Sequence, residues 1–373
     1  NLAYLWGDVP LFLHAEQPAD IYKPRTPVAQ IWEQVIADFT AATALPKRSE
    51  YSEEDTGRVT SGAAYAMLGR TYWYNRDFEN AYKMLYVLVE GEQKGEYELD
   101  PDFATQWLNP NSNLRESIFE IQYVTNGKNW DESTGWNGVW FIPSSDGGYG
   151  FHLPTQHLLD AFDPEDPRIT WTFVRQGDQF VGNDFVTGDA NYPSRFFDRK
   201  HFVPMSETLN AASPVYPQDV EMTVYVIRYA DVLLMYAEAC LEKGDIVGAR
   251  KYLNQVRKRA RESSPLDAKR VIQKYVPDTK STSLPDITSD NVAEVRLAIW
   301  NERRFEFACE GIRRMDLMQQ ERYGEIMTAV YSNGYATEDV DKGRYYTKER
   351  ELFPIPQNDI DLSRGALVQN PGY

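Results

Sequence analysis

The chain has 373 residues, with 56 Asp and Glu against 39 Lys and Arg and a formal net charge of −17. A balance this acidic supplies no basic footprint for phosphate, which argues against a nucleic-acid partner and against strongly anionic ligands, whereas a neutral ligand is indifferent to it. Hydrophobic residues make up 42% and aromatic residues 13% of a chain long enough to bury a large core, so long disordered spans are not expected.

Residues 1–26 read as irregular, broken by Pro10, Pro18 and Pro24. Pro27 sits at a first-turn position and opens a helix that runs to Leu45, its apolar stripe made by Val28, Ile31, Val35 and Phe39 and its stop by Pro46. After a polar, acidic loop from Ser49 to Gly57, Leu68-Gly69-x-x-Tyr72 with Asp77 and Ala81 matches the spacing of a tetratricopeptide helix pair. Asp77 is the expected cap of the second helix, which buries Phe78, Ala81, Leu85 and Leu88. The same design returns with Ala237, Asp245 and Ala249, at the same separation of the small positions. Small residues there let paired helices approach closely and stack on the next pair. A pair cannot bury its apolar face alone, and Pro27 to Leu45 and Asn291 to Cys309 are the candidates to cover it.

Between the two pairs, residues 101–221 are rich in Asn, Gly, Pro, Ser and aromatics. Ser117 to Tyr123 alternates like a strand, and Pro154 to Phe162 reads as a short helix followed by an acidic turn, Asp163 to Arg168. Thr170 to Val181 and Phe196 to Phe202 are short strands or extended loop. A polar segment from Ser263 to Thr288 precedes a helix capped by Asp290 or Ser289, with Val295, Ala298, Ile299, Phe305 and Cys309 facing inward. On that helix Glu302, Glu306 and Glu310 fall at i, i+4 and i+8, where like charges repel unless cations face them. Arg303, Arg304, Arg313 and Arg314 are the local cations, and two readings stand: an internally paired junction between helices, or a solvated charged face. Gly311 ends the helix, Tyr323 to Val330 completes another, and a Pro-rich tail lies extended over the helices. Cys240 and Cys309 fall inside predicted helices as small buried residues, a pairing between them staying open. No apolar run is long enough to span a bilayer.

Catalytic chemistry finds little support. His14, His152, His157 and His201 form no recognised zinc spacing, so structural or exposed histidines are expected rather than a metal site. Nucleophile-elbow and phosphate-loop motifs are absent. Carboxylates are too many for any pair to have a claim to glycoside hydrolysis, and Asp163, Glu165 and Asp166 are explained by solvation and capping. Asn183-Asp184 and Asp189-Asn191 offer oxygen ligands of the kind calcium takes but lack an EF-hand order, so a loop without metal is expected there. The aromatics of the insertion say more: Trp130, Trp136, Trp140, Tyr149, Phe151 and Trp171 lie among Asn, Asp, Gly and Ser. Exposed rings there would stack on the C–H face of a sugar while polar neighbours bind hydroxyls; buried ones would fill a small core of the insertion. Trp130, Trp136, Trp140, Tyr149 and Trp171 are the candidate ligand-binding residues. Trp6, Trp32, Trp73, Trp107 and Trp300 are expected in the core.

Three stretches carry a family resemblance. Glu302-Arg303-Arg304-x-Glu306-x-Ala308-x-Glu310-Gly311-x-Arg313-x-x-Asp316-Leu317, Arg228 to Glu238, and Leu352-Phe353-Pro354-Ile355-Pro356 through Gln369-Asn370-Pro371-Gly372-Tyr373 resemble, in order and spacing, motifs of the SusD/RagB family. Tyr4-x-x-Gly7-Asp8-Val9-Pro10-Leu11 is similar to the middle of that family's amino-terminal half, which implies a start, and a lipid-anchored cysteine, outside this sequence. The resemblance implies a mainly α SusD-like fold: one body over residues 1–373, with a helical scaffold at 27–100 and 222–330, a ligand-binding insertion at 101–221 and an extended tail at 331–373. It further implies non-enzymatic capture of an oligosaccharide or polysaccharide at the outer membrane, no cofactor, and handover to a SusC-like TonB-dependent transporter. A peptide-binding helical scaffold and a glycoside hydrolase are the alternatives.

Overall fold

A computed structural model of the chain describes residues 1–17, 20–108, 111–123, 140–141, 149–175, 196–202, 221–264, 283–332 and 346–373. Its elements run α1 (Leu2–Trp6), α2 (Val28–Ala42), α3 (Ser61–Tyr74), α4 (Phe78–Val89), β1 (Ser117–Ile121), α5 (Gln156–Leu159), α6 (Ile169–Thr172), β2 (Phe173–Arg175) and β3 (Phe196–Asp198), then β4 (Val224–Arg228), α7 (Tyr229–Glu242), α8 (Ile246–Glu262), α9 (Val292–Glu306), α10 (Arg313–Gln319), α11 (Tyr323–Ser332) and α12 (Gln357–Leu362). The chain is mainly α, with short strands, and no helix among the described residues is long and apolar enough to cross a membrane.

Both predicted helix pairs form. Asp77 caps α4 by accepting from the Asn80 amide, and Asp245 caps α8 by accepting from the Gly248 amide. Gly69 lies against Leu85, so close that a Cβ there would sit 2.3 Å from Leu85 Cδ2. Ala81, Ala237 and Ala249 are fully buried. The pairs stack through α4 and α7, where Tyr82 lies on Tyr236 with ring centroids at 5.0 Å, and Tyr252 meets Tyr236 edge-on at 4.9 Å. Every residue of α7 from Tyr229 to Leu241 is buried, which is why its sequence shows no polar face. The insertion is rooted in this body: β1 pairs antiparallel with β4, the strand that feeds directly into α7. The tail is fastened by its own motif. Asn370 is buried and donates to the carbonyls of Trp6 (3.1 Å) and Phe353 (2.7 Å) while accepting from Arg25 at 2.5 Å.

Several boundaries differ from the sequence reading. Residues 2–6 form a short helix, α2 begins after Pro27 and stops at Ala42, and Asn291, not Asp290 or Ser289, caps α9 by accepting from Ala293 and Glu294. Cys309 lies beyond α9 in a turn with φ +66°, and both cysteines are free thiols. Thr170 begins in α6 before the chain turns into β2.

The glutamate stripe is buried and paired, though not by the local cations. Glu302 accepts from Arg168 (2.7 Å) and Arg257 (2.8 Å), and Glu306 from Arg168 (3.0 Å), Arg228 (2.7 Å) and Arg259 (2.5 Å). Glu310, just past the helix end, takes Arg228 (2.8 Å) and Lys200 (2.7 Å). Glu116 binds Arg228 and Arg259, both at 2.6 Å, and Asp166 binds Arg168 at 2.8 Å. Asp166 is therefore a buried partner, not the solvated turn residue expected. Five cations face five carboxylates in a lattice joining α8, α9, β1, β4 and the insertion. Burial pushes the Glu306 carboxyl up, but Arg259, Arg228 and Arg168 outweigh it and hold it well below the usual carboxylate range. Arg303 turns the other way, gripping Asp316 with two bonds of 3.0 Å and Asp231 at 2.7 Å; Arg304 donates to the His157 carbonyl, and Arg314 to that of Glu351.

Candidate ligand-binding face

The short ladder of β2 and β3 places Phe173 opposite Asp198 and Arg175 opposite Phe196. Phe173, Val174 and Phe197 are fully buried, so the ladder is anchored, and Asp198 at its end is held out of water. Asp198 Oδ1 accepts from the Lys200 amide at 2.9 Å, while its Oδ2 lies 3.0 Å from His152 Nδ1 and 2.7 Å from His201 Nδ1. A carboxylate only accepts, so both imidazoles present an Nδ1–H to it. Burial pushes the Asp198 carboxyl up, and His201 and His152 outweigh it to hold it below the usual range. The Asp198 hydrogen bond in turn raises His152 above its ordinary value, against the opposing effect of burial. Beneath this group Lys200 is buried, donating to the Glu306 carbonyl (2.8 Å) and Glu310 (2.7 Å) with its ammonium 4.6 Å from the Trp107 ring centre. The face is thus built directly on the ion lattice.

His201 carries the next layer. Phe141 stacks on it with centroids at 4.7 Å and an interplanar angle of 26°, and meets His152 edge-on at 6.0 Å. The chain neighbours of these inward residues form the outer surface. The Phe151 amide donates to the Trp140 carbonyl at 2.7 Å, which sets the two segments side by side. Trp140 and Phe151 then stack at 5.7 Å and 20°, Tyr149 and Phe151 at 5.9 Å and 21°, and Trp140 and Tyr149 approach to 5.3 Å. Trp140, Tyr149 and Phe151 stay 48%, 56% and 53% exposed. Three touching rings, each half in water, make a contiguous apolar patch of the kind that marks a binding surface.

Of the residues singled out from sequence, Trp140 and Tyr149 come together here, joined by Phe151. Trp130 and Trp136 lie outside the described residues, as do Asn183, Asp184, Asp189 and Asn191. Trp171 is a correction. It is 2% exposed, packed with Phe103 and Trp107, its Nε1 donates to the Ser264 carbonyl at 2.8 Å, and the Arg199 guanidinium covers its ring at 5.4 Å. The turn from α6 into β2 points it inward, so it has no face to give a ligand. His152 and His201 meet Asp198 as structural histidines, and the ligating atoms of the three all lie within 4.8 Å of one another, a grouping hidden by the 46 positions that separate His152 from Asp198.

Comparison with known proteins agrees with this architecture. The SusD family model matches residues 115–373. A SusD-like protein of Formosa agariphila is 24% identical over 387 residues, spanning all of this chain and 71% of its own; one of Bacteroides ovatus is 25% identical over 413 residues, spanning 98% and 70%. Among solved structures, a SusD-like carbohydrate binding protein from Bacteroides fragilis aligns with a TM-score of 0.74 at 22% identity, covering 98% of this chain and 76% of that one. Surface glycan-binding protein A from Bacteroides thetaiotaomicron, in complex with laminarihexaose, aligns with a TM-score of 0.70 at 21% identity, covering 99% and 74%. The family model runs from the residues entering β1 to the last residue of the tail, and this chain belongs to the SusD family.

Proposed function

We propose that this chain captures an oligosaccharide or polysaccharide without cleaving it, at the outer surface of a Gram-negative cell. Held there by a lipid anchor, it hands the glycan to a SusC-like TonB-dependent transporter. The observation that carries the reading is the exposed ring set of Trp140, Tyr149 and Phe151. Flat apolar faces half in water suit the C–H face of a sugar, and a few such contacts give modest affinity and fast release, which suits handover. Two features support this reading over its rivals. Asp198, the carboxylate behind the rings, already serves His152, His201 and the Lys200 amide, so it is not a free acid for hydrolysis. Helix α7 is covered on all sides, leaving no open helix face there for a peptide.

Affinity electrophoresis of the chain against plant, host and microbial polysaccharides, with released reducing ends assayed on the same samples, tests it. Retardation on one polysaccharide is expected with no new reducing ends. Trp140→Ala and Phe151→Ala should each weaken it by about tenfold, the worth of roughly 1.4 kcal/mol of lost ring contact, with an unchanged melting temperature. Equal retardation in both variants would move the site elsewhere, and cleavage would transfer the case to a hydrolase.

A further inference from the structure

We infer that His152, Asp198 and His201 form a binding site for a transition-metal ion of the zinc class, which pins the ring-bearing segment onto β3. Two imidazoles with one carboxylate are the donor set that zinc, cobalt or nickel prefers, whereas calcium and magnesium prefer oxygen alone. The geometry needs little change. Asp198 Oδ2 stands 3.0 Å from one Nδ1 and 2.7 Å from the other, and the three ligating atoms fall within 4.8 Å of one another. Metal–nitrogen and metal–oxygen bonds of about 2.0–2.2 Å in a tetrahedron place ligand atoms about 3.3 Å apart, so each Nδ1 parts from Asp198 Oδ2 by a few tenths of an ångström, while the two imidazole nitrogens, within 4.8 Å of each other, swing together about the carboxylate. The ion binds the Nδ1 lone pair of each imidazole in its neutral Nε2–H tautomer, so the Nδ1 proton of a neutral ring moves to Nε2 and only that of an imidazolium leaves to solvent.

The surroundings have the features of a held site. The second oxygen of Asp198 is fixed by the Lys200 amide, and the His201 ring is stacked on Phe141, so two of the three ligands are oriented in advance. Asp198 is fully buried and the His201 side chain only 11% exposed, while that of His152 is 42% exposed and gives both an entry path and an open fourth position on the solvent side. His152 itself has φ +62°, a left-handed conformation that costs a non-glycine residue energy and is kept where a surrounding constraint demands it. Because Phe151 precedes His152 and Trp140 precedes Phe141, a bond from His152 across to β3 orders the three rings before any ligand arrives. The site stands on its own donors, whether or not those rings bind glycan.

The test uses metal-free chain and zinc or cobalt alone. Calorimetry should show one equivalent of Zn2+ bound, and Co2+ should give the intense visible bands of a four-coordinate site containing nitrogen. His152→Ala, which alters the most exposed ligand, should keep the fold by circular dichroism and lose more than the ~100-fold that disturbing a mere outer partner costs. His201→Gln should behave alike. No zinc heat, or equal affinity in wild type and both variants, would overturn the site. Should a variant unfold, the wild-type cobalt spectrum decides, because the weak bands of a six-coordinate, all-oxygen ion would also overturn it.

Discussion

Trp73 and Trp140 show how differently the helical body and the ring-bearing face use one residue type. Trp73 has no exposure: its Nε1 donates to Glu238 at 2.9 Å, and the Arg303 guanidinium lies 4.4 Å from its ring centre. Trp140 keeps about half its surface in water and packs on Tyr149 and Phe151. Charges divide the same way. Within the body, carboxylates and guanidiniums sit out of water in matched pairs; on the face, the buried carboxylate of Asp198 is met by imidazoles. Interactions that are complete within the chain serve stability, and those that stop at water are left for something else.

Breaking the matched lattice should therefore have the largest effect. Glu306→Gln removes the charge that Arg168, Arg228 and Arg259 share, leaving buried cations short of a counter-ion. The expected loss is about 3–5 kcal/mol in denaturant unfolding. Trp140→Ala, on the face, should stay within about 0.5 kcal/mol of wild type in the same measurement. A loss below about 1 kcal/mol for Glu306→Gln would mean that the lattice is as dispensable as a surface pair, and the contrast between the regions would fail.

A smaller effect probes packing within the body. At Gly69 an added methyl meets Leu85, itself fully buried between the helices of the first pair. Overpacking costs about 1–3 kcal/mol and helix propensity returns up to about 1, so Gly69→Ala should lose about 1–2 kcal/mol overall. The corresponding position in the second pair is already alanine, Ala237, fully buried without strain. A neutral Gly69→Ala would show that Leu85 can turn aside and that the first pair packs as loosely as the second allows.

What the sequence disclosed follows the range of each interaction. Asp77 and Asp245 cap helices three residues away, and Gly69, Ala81, Ala237 and Ala249 act within one hairpin, so spacing alone identifies them. The stripe of Glu302, Glu306 and Glu310 announces a need for cations but not their source. Arg168 reaches Glu302 across 134 positions and Lys200 reaches Glu310 across 110, while adjacent Arg303 is taken by Asp231 and Asp316. Trp171 misled for the same reason: Ser264, 93 positions away, takes its N–H and buries it. Composition flagged Trp140, Tyr149 and Phe151 as a group, yet only the fold shows that they touch. His152, Asp198 and His201 carried no local signal at all.

The smallest effect concerns a carboxylate that lacks a close cation. Asp100 is buried at the edge of the lattice, where it accepts from Gln106 and its own amide donates to Glu116 at 3.2 Å. Burial, and then the charge of Glu116, push its carboxyl up from 3.8 to about 6. A folded-state value above the unfolded one means that the folded chain holds the proton more tightly, so stability from this group is greatest in acid and falls as pH rises between about 4 and 6. Asp100→Asn removes the ionisation while an amide oxygen still faces Gln106. Wild type should lose about 1 kcal/mol relative to Asp100→Asn between pH 4 and pH 7, the shift being discounted for water around the partly hydrated carboxyl. Urea unfolding of both proteins across that range reads the difference directly. A gap that stays flat with pH would mean that Asp100 ionises as if in water. Burial without a charge partner would then carry no penalty at the lattice edge, and the pairing of Glu116 with Arg228 and Arg259 would no longer explain why one acid is comfortable there and its neighbour is not.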